Sequence, residues 1–273
     1  MKSDAYIVSS IRTPVGKAKR GSLKNVRPED LGAIAVNGAI SKVAGLNKEQ
    51  INDVLIGCAM PEGEQGLNLG RVIAQRAGLP DSVPAATINR FCSSGLQTIV
   101  TAAQSIMVGH TEVVVAGGAE SMSMVPMSGF YFRPNPTLVQ NDPDTYVGMG
   151  ITAENVAEQY NISRDDQDAY SLRSHQKAAA AISEGKFEAE IVPVDVKEVV
   201  YSNGHTRSIE FKFQVDEGPR SDTNMEALSK LKPAFKKNGT VTAGNASQMS
   251  DGAAASVVMS ERMMKELNAE PIA

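Results

Sequence analysis

The sequence predicts an α/β protein, with a parallel or mixed sheet carrying helices on both faces and a lobe inserted into that core. Three observations predict it. Short β-branched runs alternate with stretches at helical spacing between residues 5 and 120. From about 121 the texture changes to Met, Pro, Asn and Asp with little periodicity. The α/β texture returns at Gly252 with the strand-like Ala254–Met259.

The elements follow in order. Ala5–Ser9 reads as a short buried strand. Pro28-Glu-Asp, then Leu31, Ile34, Ala35 and Gly38, reads as a helix with an apolar face. Asn47 caps the next turn, and Val54–Cys58 is a second strand. Leu67–Ala77 reads as helical, stopped by Gly78 and Pro80. Ala86–Phe91 is strand-like, and Ser93 to Val108 has helical spacing ending at Gly109. Glu112–Ala116 is a valine-rich strand leading into Gly117-Gly118.

Beyond 121, a helix is expected near Thr152. Another, capped by Ser163 with Asp165 and Asp166 in its first turn, should run to Glu184. Residues 195–240 read as charged loop, and Glu261–Leu267 as a terminal helix. The expected organisation is therefore a core of 1–120 and 251–273 with a lobe at 121–250.

Composition narrows the function. The chain has 273 residues, 42% hydrophobic and 21% charged, ordinary for a globular protein. A net charge of −4 argues against a nucleic-acid binder. No apolar run approaches the roughly 20 residues that span a membrane, and the N-terminus lacks a signal-peptide pattern. Two cysteines make no disulfide framework, so a cytoplasmic setting is expected. The three histidines are His110, His175 and His205.

The most informative segment is Asn89-Arg-Phe-Cys-Ser-Ser-Gly-Leu-Gln97. Cys92 stands where a strand passes into a helix, so the helix aims unpaired N–H groups and its positive end at the sulfur. A free thiol has a pKa of about 8.5, and a helix N-terminus can lower it. This suits a nucleophile for acyl transfer. From position alone, a buried filler cysteine is the competing reading, and for Cys58 the filler reading is preferred.

Gly239 to Ala255 is a small-residue segment rich in hydroxyl, amide and carboxylate groups. It reads either as a binding loop for a flexible polar ligand or as an ordinary connector. It lacks the ending of a phosphate loop. Arg220, Lys230, Lys232, Lys236 and Lys237 could meet phosphates, with a solvated face as the plainer alternative. Met122, Met124, Met127 and Met149 could wall an acyl chain or simply pack in a core.

Taken together, these residues resemble the thiolase family. Asn-Arg-Phe-Cys-Ser-Ser-Gly-Leu is similar to its nucleophile motif. Ala116-Gly-Gly-Ala-Glu-Ser-Met-Ser123, Gly148-Met-Gly-Ile-Thr-Ala-Glu-Asn-Val156, Asn245-Ala-Ser-Gln-Met-Ser-Asp-Gly-Ala253 and Arg12-Thr-Pro-Val-Gly-Lys17 match further stretches in the family's order. Ala59-Met-Pro-Glu-Gly-Glu-Gln-Gly-Leu67 looks most like the degradative 3-ketoacyl-CoA type, with the biosynthetic acetoacetyl-CoA type as the alternative.

The resemblance implies a layered α-β-α core with a mixed five-stranded sheet and a coenzyme A-binding loop lobe. It implies acyl exchange between 3-ketoacyl-CoA or acetyl-CoA and coenzyme A through a thioester on Cys92. Its backbone N–H would contribute to an oxyanion hole. Met149 would lie near the acyl group, Ser247 along the pantetheine arm, and Arg220 and Phe235 at the nucleotide end. It implies no permanently bound cofactor, no metal, and a dimer or tetramer.

In the family, a second α/β half supplies a histidine in a Gly-His-Pro setting, an Asn-Glu-Ala-Phe segment and a second cysteine. None of these occurs here, and none of the three histidines is assigned to catalysis. The expectation is an N-terminal portion that has no normal turnover alone, because both proton transfers lack their groups. A face left apolar and open is expected with it. The competing readings are a non-catalytic acyl-CoA-binding fragment and a condensing enzyme of the ketoacyl synthase kind.

Overall fold

The computed structural model describes residues 4–202 and 205–273. Its strands are β1 (Ala5–Arg12), β2 (Gly16–Lys17), β3 (Asp53–Gly57), β4 (Ala85–Ile88), β5 (Val113–Ser121), β6 (Val194–Ser202), β7 (His205–Phe213) and β8 (Ser250–Ser260). Its helices are α1 (Pro28–Ser41), α2 (Leu69–Arg76), α3 (Ser94–Met107), α4 (Pro136–Asn141), α5 (Met149–Gln159), α6 (Arg164–Ser183), α7 (Met225–Ser229) and α8 (Glu261–Glu266).

The chain divides into two compact units. The first holds residues 1–130, 188–217 and 250–273. Its sheet has the order β1-β8-β5-β3-β4, with the short β2 also pairing with β8. β3 is parallel to β4 and β5, while β8 is antiparallel to β5 and β1. The sheet is therefore mixed, and its core path has five strands.

Strand alternation sorts the apolar residues onto two faces. Val54, Ile56, Val113, Val115, Val257 and Met259 join one large cluster with Leu31, Val36 and Ile73 of α1 and α2. Leu55, Val114, Ala116 and Val258 point the other way and pack on Ala102 and Ile106 of α3. This is the α-β-α layering. Each fully buried Leu or Ile on these faces contributes on the order of 1.5–3 kcal/mol.

β6 and β7 form an antiparallel ribbon where the sequence reading expected loop. Val194, Val196 and Phe213 at one end are buried in the large cluster. The rest of β7 is exposed, so that strand lacks the buried alternation that marks a strand in sequence, whereas β6 alternates from Val194 to Tyr201. Arg12 ties this segment to β1 with a bidentate pair to Asp216 (2.7 and 2.9 Å) and a bond to Glu190 (2.6 Å). The interval 121–250 thus contributes to both units.

The second unit holds residues 131–187 and 218–249. Ser163 caps α6 in a capping box with Asp166, as its sequence position predicts. α5 begins at Met149, three residues before the expected Thr152. None of the described helices is long and apolar enough to cross a membrane.

Candidate active site

Cys92 lies between the end of β4 and the start of α3, and it is exposed with a free thiol. β4 ends at Ile88, three residues short of the expected Phe91, because the chain leaves the sheet to make a tight turn. Phe91 has φ +47°. A left-handed backbone at a bulky residue is strained by roughly 1–2 kcal/mol, so its surroundings must enforce it.

Those surroundings are a set of short polar side chains. Asn89 Oδ1 accepts from the Phe91 N–H at 2.9 Å. Ser94 Oγ accepts from the Arg90 N–H at 2.8 Å and donates to the Phe91 carbonyl at 2.6 Å. Ser93 Oγ donates to the Arg90 carbonyl at 2.9 Å. Asn89, Ser93 and Ser94 are therefore scaffolding for the turn that presents Cys92.

The N-terminus of α3 can come close to the sheet because Gly57 has no side chain. A Cβ there would lie 2.6 Å from the Ser94 carbonyl carbon and 2.7 Å from the Gly95 nitrogen. Thr98 of α3 fastens the helix to β5 on the same face, its hydroxyl shared between the Gly95 carbonyl at 2.7 Å and the Gly117 carbonyl at 3.0 Å. Gly95 itself faces open space. Among the described residues none hydrogen-bonds the Cys92 sulfur.

Cys58 is the opposite case. It is 1% exposed. Burial, reinforced by the charge of Glu120, pushes its thiol from 9.0 up to about 12. Glu120 accepts from the Ala59 and Met60 N–H groups (2.6 and 3.2 Å) and from Gln65 Nε2 (2.8 Å). Gln65 also donates to the Met60 carbonyl at 2.7 Å, and its own oxygen accepts from the Ser121 N–H at 2.5 Å. Sequence reasoning missed Gln65 and Glu120, which lie 55 residues apart with no shared local motif.

The other predicted site residues are in the second unit. Met149 opens α5 and is exposed. Phe235, 48% exposed, packs on Gly150, where a Cβ would meet its ring at 2.2 Å. The Phe235 segment pairs with the polar loop through a Pro233–Thr242 bridge and an Ala234 N–H to Val241 carbonyl bond of 2.9 Å. That loop is fixed by buried carboxylates. Glu154 accepts from the Thr240 and Val241 N–H groups, and Asp168 accepts from Asn245 Nδ2 at 2.9 Å. Burial opposes ionisation of Glu154, but these bonds and nearby Lys236 hold its pKa below the usual carboxylate value.

Ser247 is exposed on this loop, its hydroxyl 3.3 Å from the Gln248 carbonyl. Arg220 pairs with Asp222 at 3.0 Å, and its N–H donates to His175 Nδ1 at 3.1 Å. Lys230 and Lys236 pair with Glu226 and Glu158. No described cluster of His, Cys, Asp or Glu could hold a metal.

Comparisons with known proteins add a family. Residues 5–262 match the family model described as Thiolase, N-terminal domain. The chain is 53% identical over 270 residues to the 3-ketoacyl-CoA thiolase of Bacillus subtilis (strain 168), covering 98% of this chain and 69% of that protein. It is 44% identical over 279 residues to the "Probable acetyl-CoA acyltransferase" of Staphylococcus aureus (strain MRSA252), covering 98% and 68%. The crystal structure of the Bacillus anthracis acetyl-CoA acetyltransferase superposes with a TM-score of 0.86 at 40% identity, over 99% of this chain and 68% of that one.

Proposed function

This chain belongs to the thiolase family, and we propose that it carries the nucleophile of an acyl exchange between 3-ketoacyl-CoA or acetyl-CoA and coenzyme A. Cys92 takes the acyl group as a thioester. One observation carries the reading: an exposed free thiol is presented at the start of a helix by a backbone that pays strain to be there. A buried filler cysteine needs no such turn, and Cys58 shows what one looks like here.

The reaction begins with attack of the Cys92 sulfur on the acyl carbonyl carbon. With a 3-ketoacyl-CoA the bond between C2 and C3 breaks, and its electron pair leaves on the acetyl-CoA carbanion, which takes a proton from water to give acetyl-CoA; with acetyl-CoA the C–S bond breaks and coenzyme A leaves as its thiolate. The acyl group stays on Cys92 as a thioester until the sulfur of coenzyme A attacks it and the Cys92 thiolate is released. The positive end of α3 favours the negative charge that builds during attack. Met149 and Phe235 offer apolar surface for the substrate, Ser247 a hydroxyl for the pantetheine arm, and Arg220 a cation for phosphate. Coenzyme A enters as substrate, with no resident cofactor.

The degradative 3-ketoacyl-CoA type is the reading for substrate, supported by the Ala59–Leu67 stretch and the Bacillus subtilis relative. The chain spans about two thirds of these relatives, and the proton-transfer groups that the family resemblance implies lie outside its motifs. An acyl adduct without turnover is therefore expected of residues 1–273 alone. The outward side of α3 leaves Leu96 (66% exposed), Val100 and Met107 uncovered, which supports association with another protein surface, in the first instance as a homo-oligomer.

The test is intact mass spectrometry with acetoacetyl-CoA or a longer 3-ketoacyl-CoA plus coenzyme A, with thioester loss followed in parallel. An acyl adduct on the wild type that disappears in Cys92→Ala is the expected result. Absence of any adduct would overturn the nucleophile assignment and favour an acyl-CoA-binding role. Mass photometry of the same sample reads the association, and a monomer at all concentrations would overturn the oligomer.

A further inference from the structure

We propose that Asn89 is a positioning residue for Cys92, and that the buried Gln65–Glu120 pair is the anchor through which it acts. The inference rests on the nucleophile reading above and deepens it.

Asn89 is exposed, yet both ends of its side-chain amide bond to backbone. One end, Oδ1, receives the Phe91 N–H at 2.9 Å, the residue of positive φ directly before Cys92. The other, Nδ2, donates to the Ala59 carbonyl at 2.9 Å. One amide thus joins the strained turn to the segment that follows β3.

That segment is itself held still. The Ala59 N–H donates to Glu120 Oε2 at 2.6 Å and the Met60 N–H to Oε1 at 3.2 Å. Gln65, which is completely buried, closes the set by bonding Glu120, the Met60 carbonyl and the Ser121 N–H. The end of β5 therefore fixes residues 59 and 60, these fix Asn89, and Asn89 fixes the peptide leading into Cys92. A displacement of the sulfur by about 1 Å can cost on the order of 100-fold in a reaction that needs a defined line of attack. It costs far less when a small, mobile reagent alkylates the thiol.

Two variants separate the links. Asn89→Ala removes both bonds. Asn89→Asp keeps an acceptor for the Phe91 N–H and loses the donor to Ala59. For the full chain and both variants, three quantities are compared: the rate of Cys92 acylation by acetoacetyl-CoA, the rate of its alkylation by iodoacetamide, and the thermal midpoint.

The expected result is acylation slowed about 10- to 100-fold in Asn89→Ala and by a smaller factor in Asn89→Asp. Alkylation should stay within about 3-fold and the thermal midpoint within about 2 °C, since the residue is exposed. Equal acylation of wild type and Asn89→Ala would overturn this inference alone. So would parallel losses of acylation, alkylation and melting temperature, which would make Asn89 merely structural. A wild type that forms no adduct would overturn the nucleophile reading and this inference with it.

Discussion

Strands β3 and β4 run side by side and parallel, with Gly57 opposite Ile88, and a cysteine follows each strand. After β3, the chain folds under the Glu120 carboxylate and Cys58 is sealed 1% exposed among apolar residues. After β4, the chain makes a left-handed turn at Phe91 and climbs into α3, and Cys92 is left in the open. The Cys58 N–H even bonds the Ile88 carbonyl at 3.0 Å, so the two strand ends are coupled neighbours. Identical side chains that follow adjacent strands thus receive opposite chemistry. What differs is the element that follows: a loop wrapped around a carboxylate makes an inert thiol, and a helix N-terminus makes an accessible one.

The most direct way to break that contrast is to ask both thiols at once. Native protein treated with iodoacetamide at pH 8 should be modified at Cys92 at least about 100-fold faster than at Cys58, because Cys58 reacts only after a local opening costing several kcal/mol. Peptide mapping against time measures it. Comparable rates would erase the distinction.

A second test strikes the junction between the two regions. Gly57→Ala places a methyl 2.6 Å from backbone of α3. Overpacking of this kind is expected to cost about 1–3 kcal/mol in urea denaturation. Cys92 acylation should slow at the same time, as the helix start is pushed off the sheet. A variant as stable and as readily acylated as wild type would show that the close approach is incidental.

The smallest effect is on pH dependence. The folded state holds the Cys58 proton more tightly than the unfolded state does, with a pKa raised from 9.0 to about 12. Its contribution is therefore complete below pH 9 and declines as pH rises toward 12. The loss is about 1 kcal/mol by pH 9.5. Urea midpoints between pH 7.5 and 9.5 should fall more steeply for wild type than for Cys58→Ala. Equal slopes would mean that Cys58 ionises as readily in the fold as out of it.

Much of this molecule is legible in its residues. The alternation of valine-rich runs with helical spacing places β1, β3, α1 and α3 close to their observed bounds, while β5 runs on past the expected Ala116 to Ser121 and β8 starts at Ser250, ahead of the expected Ala254. Ser163 and Asn47 announce their caps because a capping bond is local, made within three residues. Cys92 is legible as a strand-to-helix residue for the same reason. The ribbon of β6 and β7 is hard to see in the sequence because only Val194, Val196 and Phe213 of it reach the core. The roles of Arg12, Glu154 and Asp168 as clamps were equally hidden, since their partners lie 77 to 204 residues away.

By itself, then, the sequence determined the periodic elements, the likeness to a family and the residue at the helix start, because each is written in neighbours along the chain. Only the tertiary structure decided how Phe91 is held at positive φ, and that Gln65 and Glu120 hold the segment to which Asn89 ties the turn. Burial and the pairing of polar groups are set by residues that meet only after folding.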